Sequence, residues 1–311
     1  MRNGSILIVG MRGLSNEVCK NLVLAGVGSL TILGHQTVTH EDLGAQFLLR
    51  ESDLGRNRAE AAAEKVRLLN PRVKVVVDTD KAEDKPEEYF TQFDLVCLTD
   101  MAPDQMIRIN TACRQAQKGF YAASVSGFFG YIFCDLTRHE YLEEVKEGSS
   151  DKAQGPITKT FERVQNYDSL QATMAATWGG LSSKALKRAV SPLFFAFQVL
   201  WKYQMNHDGQ LPDTTNESDV LELLKLRDER LSDAQVNPSF VPDDLLMLLA
   251  SSADAEISPV CAIVGGFLAQ DILKALSKKD SPLHNFFVYN GLEGDALVHR
   301  AGPTVSAPHS S

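Results

Sequence analysis

The stretch Ser5-Ile6-Leu7-Ile8-Val9-Gly10-Met11-Arg12-Gly13-Leu14-Ser15, near the start of the chain, decides the fold. Its apolar part predicts a buried strand, and the residues after it predict a turn into a helix, as in nucleotide-binding βαβ units. Such a turn has glycine at its first, third and sixth places, where this chain has Gly10, Arg12 and Ser15. An arginine at the third place crowds a pyrophosphate, because glycine there lets the backbone approach the ligand. Gly10, Arg12, Gly13 and Ser15 are therefore predicted to form a degenerate phosphate-binding loop.

The first 136 residues alternate between predicted strands and predicted helices. Most of the strands are continuous apolar runs, which is typical of parallel strands covered on both faces. Strands are predicted at residues 6–9, 30–33, 73–77, 95–99, 120–125 and 131–136, and helices at 16–25, 58–69 and 107–117. This alternation predicts an α/β fold with a doubly wound, mostly parallel, Rossmann-like sheet.

The rest of the chain has a different pattern. A charged segment rich in glycine and serine, residues 143–155, predicts a surface loop. From residue 161 onward helices are predicted at 182–203, 219–233, 242–251 and 259–277, and a closing hairpin at 286–289 and 297–299. We therefore divide the chain into a Rossmann-like core over 1–160, a helical insertion over 161–258, a C-terminal helix and hairpin over 259–301 that complete the core, and a disordered tail over 302–311.

Composition limits the classes of function open to the chain. A net charge of −9 in 311 residues disfavours general affinity for nucleic acid or for an anionic membrane. We find no apolar run of the roughly 18 residues that a membrane span needs, and the first strand follows Met1 too closely for a signal peptide. Five cysteines without Cys-x-x-Cys spacing predict a reducing compartment, the cytosol or nucleus, and no cysteine zinc site.

The acidic residue that holds ribose hydroxyls in dinucleotide enzymes is absent from its expected place. It belongs at the end of the second strand, where this chain has Gly34. Glu41 and Asp42 follow only several residues later, in a predicted loop. Two separate parts of the nucleotide site are therefore altered, which disfavours intact nucleotide binding.

Single residues offer further candidates. Arg12 is either a functional cation at a helix start or a solvated surface arginine, and we favour the second interpretation. Cys261 begins an apolar helix and is predicted to be a buried, inert thiol rather than a nucleophile. His35, His139 and His299 have no triad-like companions, so surface or structural roles are predicted for them.

Three blocks of the sequence resemble the activating enzymes of ubiquitin-like proteins, which share the ThiF/MoeB adenylation fold. They are Asp42-Leu-Gly-Ala-Gln-Phe47, Leu54-Gly-Arg-Asn-Arg-Ala-Glu60 and Pro259-Val-Cys-Ala-Ile-Val-Gly-Gly-Phe-Leu-Ala-Gln-Asp-Ile-Leu-Lys-Ala-Leu-Ser277. Together they look most like the smaller, non-catalytic subunits of SUMO-activating heterodimers. The resemblance extends over nearly the whole chain, from residue 6 to about residue 303.

In that family one half of the dimer binds ATP, magnesium and the tail of the ubiquitin-like protein, and the other half is an inactive homologue. The resemblance implies that this chain is the inactive half, because family residues that hold ribose, phosphate or metal are replaced. Gly34 stands in place of the ribose aspartate, and Arg58 stands in place of a lysine. Asp42 and Ala45 interrupt an Asn-x-x-Arg-Gln-Phe motif. The position of the magnesium aspartate falls at or near Met101, beside Asp100.

The resemblance implies that this chain has no catalytic residue and binds no cofactor or metal. ATP and Mg²⁺ are expected in its partner, the larger catalytic subunit, and SUMO is a partner only indirectly; no nucleic acid or membrane partner is expected. The nucleus, and also the cytoplasm, is the expected location. The partner interface is expected in the loop over residues 42–58, at Asp42, Gln46, Phe47, Arg56, Asn57 and Arg58.

One feature departs from the family pattern, and three alternatives stay open. The family's inactive half normally begins with a helix carrying a Tyr-Asp-Arg segment, whose arginine reaches the ATP phosphates of the partner. Here Arg2 is the sole nearby candidate, so either the sequence is a shortened one or that contribution is lacking. The alternatives are the equivalent subunit for NEDD8 or another ubiquitin-like protein, a self-sufficient adenylating enzyme of this fold, and a NAD-linked oxidoreductase.

Overall fold

The computed structural model describes residues 3–99, 101–147 and 157–302, and within them an eight-stranded sheet and a two-stranded ribbon. The strands are β1 (Ser5–Val9), β2 (Ser29–Leu33), β3 (Lys74–Asp78), β4 (Leu95–Thr99), β5 (Gly119–Ser126), β6 (Phe129–Asp135), β7 (Arg138–Glu147), β8 (Ile157–Asn166), β9 (Phe286–Asn290) and β10 (Asp295–His299). The helices are α1 (Gly13–Leu24), α2 (Asp42–Ala45), α3 (Arg58–Leu69), α4 (Glu87–Thr91), α5 (Pro103–Gln115), α6 (Leu170–Met174), α7 (Ser183–Ala189), α8 (Pro192–Asn206), α9 (Glu217–Asp233), α10 (Asp243–Ser251) and α11 (Ser258–Ser277).

The large sheet has the strand order β10-β9-β6-β5-β4-β1-β2-β3. The five strands from β5 to β3 run parallel to one another, and β6, β9 and β10 extend the sheet with antiparallel pairs. Helices connect the parallel strands, as crossovers must. The predicted α/β fold with a doubly wound, mostly parallel, Rossmann-like sheet is confirmed.

Both faces of the sheet are covered, which explains the continuous apolar strands. Ile6 of β1 belongs to a core shared with α1, α3 and α11, whereas the next residue, Leu7, belongs to a core shared with α5 and α8. The second core is rich in aromatic rings. Tyr131 of β6 packs edge-on against Phe197 and Trp201 of α8, with centroid distances of 4.9 and 5.1 Å. Helix α8 therefore completes one of the two cores.

The predicted surface loop over residues 143–155 is wrong in its first part. Strands β7 and β8 pair antiparallel along their length, with Glu143 opposite Phe161. Arg163 Nε lies 2.8 Å from Glu143 Oε2, so one of the charges that suggested a loop belongs to a cross-strand ion pair. The helical pattern predicted from residue 161 is also wrong for residues 161–166, because they belong to β8. The rest of the predicted loop, residues 148–155, lies outside the described residues.

The helix predicted over residues 182–203 is two helices, α7 and α8. Pro192 causes the break, because proline has no amide hydrogen and disfavours a helical backbone at the residue before it. Ser191 is accordingly extended, with ψ of 143°. Its Oγ accepts a hydrogen bond of 3.2 Å from the Leu193 amide and so caps the start of α8.

Helix α11 corrects the expectation that no segment is apolar enough to span a membrane. An 18-residue window of this helix reaches a mean hydropathy of 1.5, and 50% of that window is buried. By length and composition alone α11 could therefore cross a membrane. The same criterion is met by a core helix, and α11 packs through Val264 and Leu268 into the core that it shares with α1.

The five cysteines are all buried and carry no disulfide bond. Burial raises the pKa of Cys19 and of Cys113 to about 12, so both thiols are protonated at neutral pH. Cys261 is 1% exposed, which confirms the predicted burial of its thiol.

His299 has a structural role, as predicted, because it is buried among aromatic side chains. Its ring lies edge-on to Phe194, with 4.8 Å between ring centroids, and near Trp178 and Phe286. Burial lowers the pKa of His299 from its ordinary value of 6.5 to about 3. The unfolded chain therefore binds this proton at a higher pH than the folded chain does, and stability is lost as the pH falls from 6.5 towards 3.

We expect the free energy of unfolding to fall by up to about 1.4 kcal/mol per pH unit below pH 6.5 through this residue. Urea unfolding at several pH values measures the slope. His299→Phe should give a shallower slope than the wild-type chain, whereas His40→Phe, at an exposed histidine, should leave it unchanged. Equal slopes in the wild-type chain and His299→Phe would contradict the assignment.

Candidate functional site

A cavity of about 890 Å³ lies at the carboxyl ends of β1, β2 and β4. Gly10 and Arg12 line it after β1, Gly34 after β2, and Met101 and Ala102 after β4. Nucleotides bind at this end of the strands in doubly wound sheets. The cavity is therefore the candidate site, and the degenerate loop forms one of its walls.

Gly10, the first glycine of the loop, is required by the backbone. Its φ is +90°, and an added Cβ would lie 2.6 Å from the main-chain oxygen of Thr99. Its amide donates a 2.9 Å hydrogen bond to Leu33 O, which ties the loop to β2. The backbone of a nucleotide loop is thus kept, although Arg12 and Ser15 replace its other two glycines.

The start of α1 already holds an anion, and that anion is the carboxylate of Glu256. The Gly13 amide donates to Glu256 Oε2 at 2.7 Å, and the Leu14 amide donates to Glu256 Oε1 at 3.0 Å. The Glu256 side chain is 4% exposed. These backbone amides at a helix N-terminus are the donors that a bound phosphate uses in working loops.

Arg12 is not the solvated surface arginine that we favoured from the sequence. Its Nη1 lies 2.7 Å from Asp254 Oδ1, its Nη2 donates to Asp254 O at 2.8 Å, and its Nε lies 3.5 Å from Glu256 Oε2. The sequence could not reveal these contacts, because the acidic residues are some 240 positions away. Ser15 also has a local role, since its Oγ accepts a 2.7 Å hydrogen bond from the Arg12 amide.

Residues Asp254, Ala255 and Glu256, which we call the acidic segment, are held from a second side as well. The amide of Gly127, between β5 and β6, donates to Ala255 O at 2.8 Å. Ser126 Oγ lies 3.3 Å from Ala253 O, directly before the segment. The acidic segment is thus fixed between the end of β5 and the start of α1.

The charges around the cavity are unfavourable for a triphosphate. Among the described residues, five carboxylates and two guanidiniums line it: Glu41, Asp42, Glu83, Asp254 and Glu256, with Arg12 and Arg58. Both arginines pair with these carboxylates. Arg12 pairs with Asp254 and Glu256, and Arg58 Nε lies 3.1 Å from Asp42 Oδ2. The residues present therefore do not fit ATP. No group of three or more metal-ligating side chains occurs in the part of the chain that the structure describes, and Asp100 lies outside it.

Comparison with known proteins identifies the family of the chain. The model of the ThiF family matches residues 1–308. This chain belongs to the ThiF family. It is 40% identical over 318 residues to SUMO-activating enzyme subunit 1 of Bos taurus and 39% identical over 320 residues to that of Homo sapiens. Each comparison covers 97% of this chain and 90% of the relative, so the resemblance seen in the sequence is confirmed.

This ThiF-family chain has room for a side chain at Gly34, the position where the ribose acid is expected. Gly34 follows β2, and its carbonyl accepts a 2.9 Å hydrogen bond from Asn57 Nδ2. An added Cβ at Gly34 would lie 3.6 Å from Ala59 Cβ, which is ordinary contact. The backbone at Gly34 would therefore accept a Cβ, so close packing does not require glycine there.

Three of the six predicted interface residues lie inside this ThiF-family chain. Gln46 Nε2 donates to Asp42 Oδ1 at 2.6 Å, and Asn16 Nδ2 donates to Gln46 Oε1 at 2.8 Å. Asp42 also pairs with Arg58, and all four side chains are buried. Their direct role is to fix the loop over residues 42–58 against α1.

The other three predicted interface residues lie nearer the surface. Phe47 is 51% exposed, and Lys20 Nζ lies 5.1 Å from the centroid of its ring. Arg56 pairs with Asp53 and Glu64, and hydrogen bonding to Glu64 raises the pKa of Arg56. Asn57 caps α3, because its Oδ1 accepts from the Glu60 amide. Phe47 is the member of the set with an apolar surface to offer a partner.

An apolar surface on α11 is a feature that our sequence interpretation missed. Ala262, Ile263 and Phe267 are exposed along one side of the helix, and Phe267 is 55% exposed. These residues recur at helical spacing. The signal in the sequence that could have revealed this surface was a predicted helix with apolar residues on all sides. The opposite side of α11 packs tightly on α1, where an added Cβ at Gly265 would lie 2.7 Å from Glu17 Cβ.

Proposed function

We propose that this chain is the smaller, non-catalytic subunit of a heterodimeric SUMO-activating enzyme. It would support ATP-dependent adenylation of SUMO, and its transfer to a thioester, by the larger subunit. The observation that carries the proposal is the identity of 39–40% over 97% of the chain with proteins named SUMO-activating enzyme subunit 1. The closed site at the start of α1 supports the non-catalytic role.

The division of labour follows from the chemistry of adenylation. In this family the carboxylate of SUMO attacks the α-phosphate of ATP and releases pyrophosphate, a step that needs phosphate and magnesium contacts. In this chain the amides of Gly13 and Leu14 bind Glu256, and both arginines of the cavity bind carboxylates. ATP and Mg²⁺ would accordingly bind in the partner, and this chain would supply scaffold and interface.

The interface with the larger subunit would include the exposed side of α11 and Phe47. Contiguous exposed apolar surface is the kind of surface that protein–protein contacts cover. The two parts adjoin along α1, because Lys20 contacts Phe47 and also pairs with Glu17, which lies against Gly265 of α11. The buried network of Asp42, Gln46 and Arg58 would then hold the loop that carries Phe47.

ATP–pyrophosphate exchange tests the proposed function. We expect no exchange by the purified chain with ATP, Mg²⁺ and SUMO, and SUMO-dependent exchange once the larger subunit is added. NEDD8 in place of SUMO should give no exchange. Exchange by the chain without the larger subunit would instead favour a self-sufficient adenylating enzyme. Exchange with NEDD8 but not with SUMO would favour the subunit for NEDD8.

A nuclear location, with some of the protein in the cytoplasm, completes the proposal. Five buried cysteines without a disulfide bond suit a reducing compartment. A fluorescent tag on the chain would locate it, and a secreted product would contradict this part of the proposal.

A further inference from the structure

The acidic segment and the start of α1 form an anion site whose occupant belongs to the chain itself. The two amides and the Arg12 guanidinium converge on the Glu256 carboxylate at 2.7, 3.0 and 3.5 Å. Consecutive amides at a helix N-terminus, joined by a cation, are the donors that hold phosphate groups in nucleotide-binding proteins. A carboxylate offers the same negative charge and two acceptor oxygens in a smaller group.

We propose that Glu256 is a built-in substitute for a phosphate group and that the acidic segment excludes polyphosphates from this cavity. The proposal rests on the proposed function, because it names the contact through which the non-catalytic subunit leaves ATP to its partner. It assigns the exclusion to the acidic segment, with Glu256 at the phosphate donors, in addition to the replaced family residues.

The Glu256 carboxylate already accepts hydrogen bonds from both amide donors, at 2.7 and 3.0 Å. An added Cβ at Gly13 would lie 3.1 Å from Glu256 Oε2 and 3.2 Å from Cys261 Sγ. A phosphate would therefore have to displace the carboxylate, while Asp254 and Glu256 repel its charge. The backbone of the segment is itself anchored by the hydrogen bond from the Gly127 amide to Ala255 O.

Removing the carboxylate should convert the closed site into one that binds phosphate. We expect Glu256→Ala, in the full chain, to bind inorganic pyrophosphate at least about tenfold more tightly than the wild-type chain. Isothermal calorimetry measures the two affinities. The double variant Arg12→Ala with Glu256→Ala should lose most of that gain, since it lacks the cation. Equal pyrophosphate affinity in Glu256→Ala and wild type would overturn the proposal.

A measurement on the wild-type chain keeps the proposal testable if Glu256→Ala fails to fold. The NMR amide resonances of Gly13 and Leu14 should stay in place when pyrophosphate is added, and a saturable shift of both would overturn the proposal. These results are independent of the exchange assay. Pyrophosphate binding by Glu256→Ala without SUMO-dependent exchange in the heterodimer would support the inference and contradict the proposed function.

Discussion

Phe267→Glu is expected to weaken association with the larger subunit by at least about 100-fold, or roughly 2.7 kcal/mol. Phe267 is 55% exposed in the middle of the apolar side of α11, beside Ile263. In the heterodimer its ring would be covered, so the substitution would remove an aromatic contact and bury a carboxylate that has no partner. The two dissociation constants are measured by immobilising the larger subunit on a surface and titrating it with the wild-type chain or with the variant.

A matched control separates this surface from a general effect of added charge. Leu221 of α9 is also exposed, at 60%, and Leu221→Glu should leave the dissociation constant unchanged. The melting temperature of isolated Phe267→Glu should stay close to that of the wild-type chain, because the ring is half exposed. Unchanged association of Phe267→Glu would place the interface elsewhere, and an equal loss in Leu221→Glu would remove the specificity of the result.

Gly10→Ala is expected to destabilise the chain by about 3 kcal/mol or more. The positive φ of Gly10 is unfavourable for alanine, and the new Cβ would lie 2.6 Å from the main-chain oxygen of Thr99. Gly10 directly follows β1 and Thr99 is the last residue of β4, so neither backbone can move without disturbing the centre of the sheet. Urea unfolding, followed by circular dichroism, measures the loss.

Gly44→Ala is the control for this substitution. Gly44 lies in α2, and an added Cβ would meet nothing within 4 Å. The change should therefore be neutral, or stabilising by up to about 1 kcal/mol, because alanine favours a helix more than glycine does. A stability of Gly10→Ala equal to that of Gly44→Ala would show that the first glycine of the loop is dispensable.

Strong local signals made the core of the fold predictable. Strand β4 (Leu95–Thr99) and helix α3 (Arg58–Leu69) have the predicted bounds, because one is a continuous apolar run and the other ends at an Asn-Pro stop. The ribbon of β7 and β8 was not predictable in the same way. Its strands carry alternating charges whose partners, such as Glu143 and Arg163, become apparent only after the strands pair.

The candidate site was likewise only partly predictable from the sequence. Its altered loop was visible in the sequence, because Arg12, Ser15 and Gly34 depart from a pattern with fixed spacing. Its occupant was not visible, since nothing near Glu256 in the sequence distinguishes it from any other acidic residue. The sequence also did not show which of the predicted interface residues are buried. In the structure Gln46 lies inside the chain and Phe47 lies at the surface.

The amino-acid sequence by itself determined that the chain forms a doubly wound sheet with a nucleotide-type loop whose third and sixth places are not glycine. Periodicity and glycine spacing are local properties, so they can be evaluated one segment at a time. Tertiary structure alone decided what binds at that loop. Backbone amides are chemically alike in every helix, and the chain topology brought Glu256 to those of Gly13 and Leu14 from more than 240 positions away.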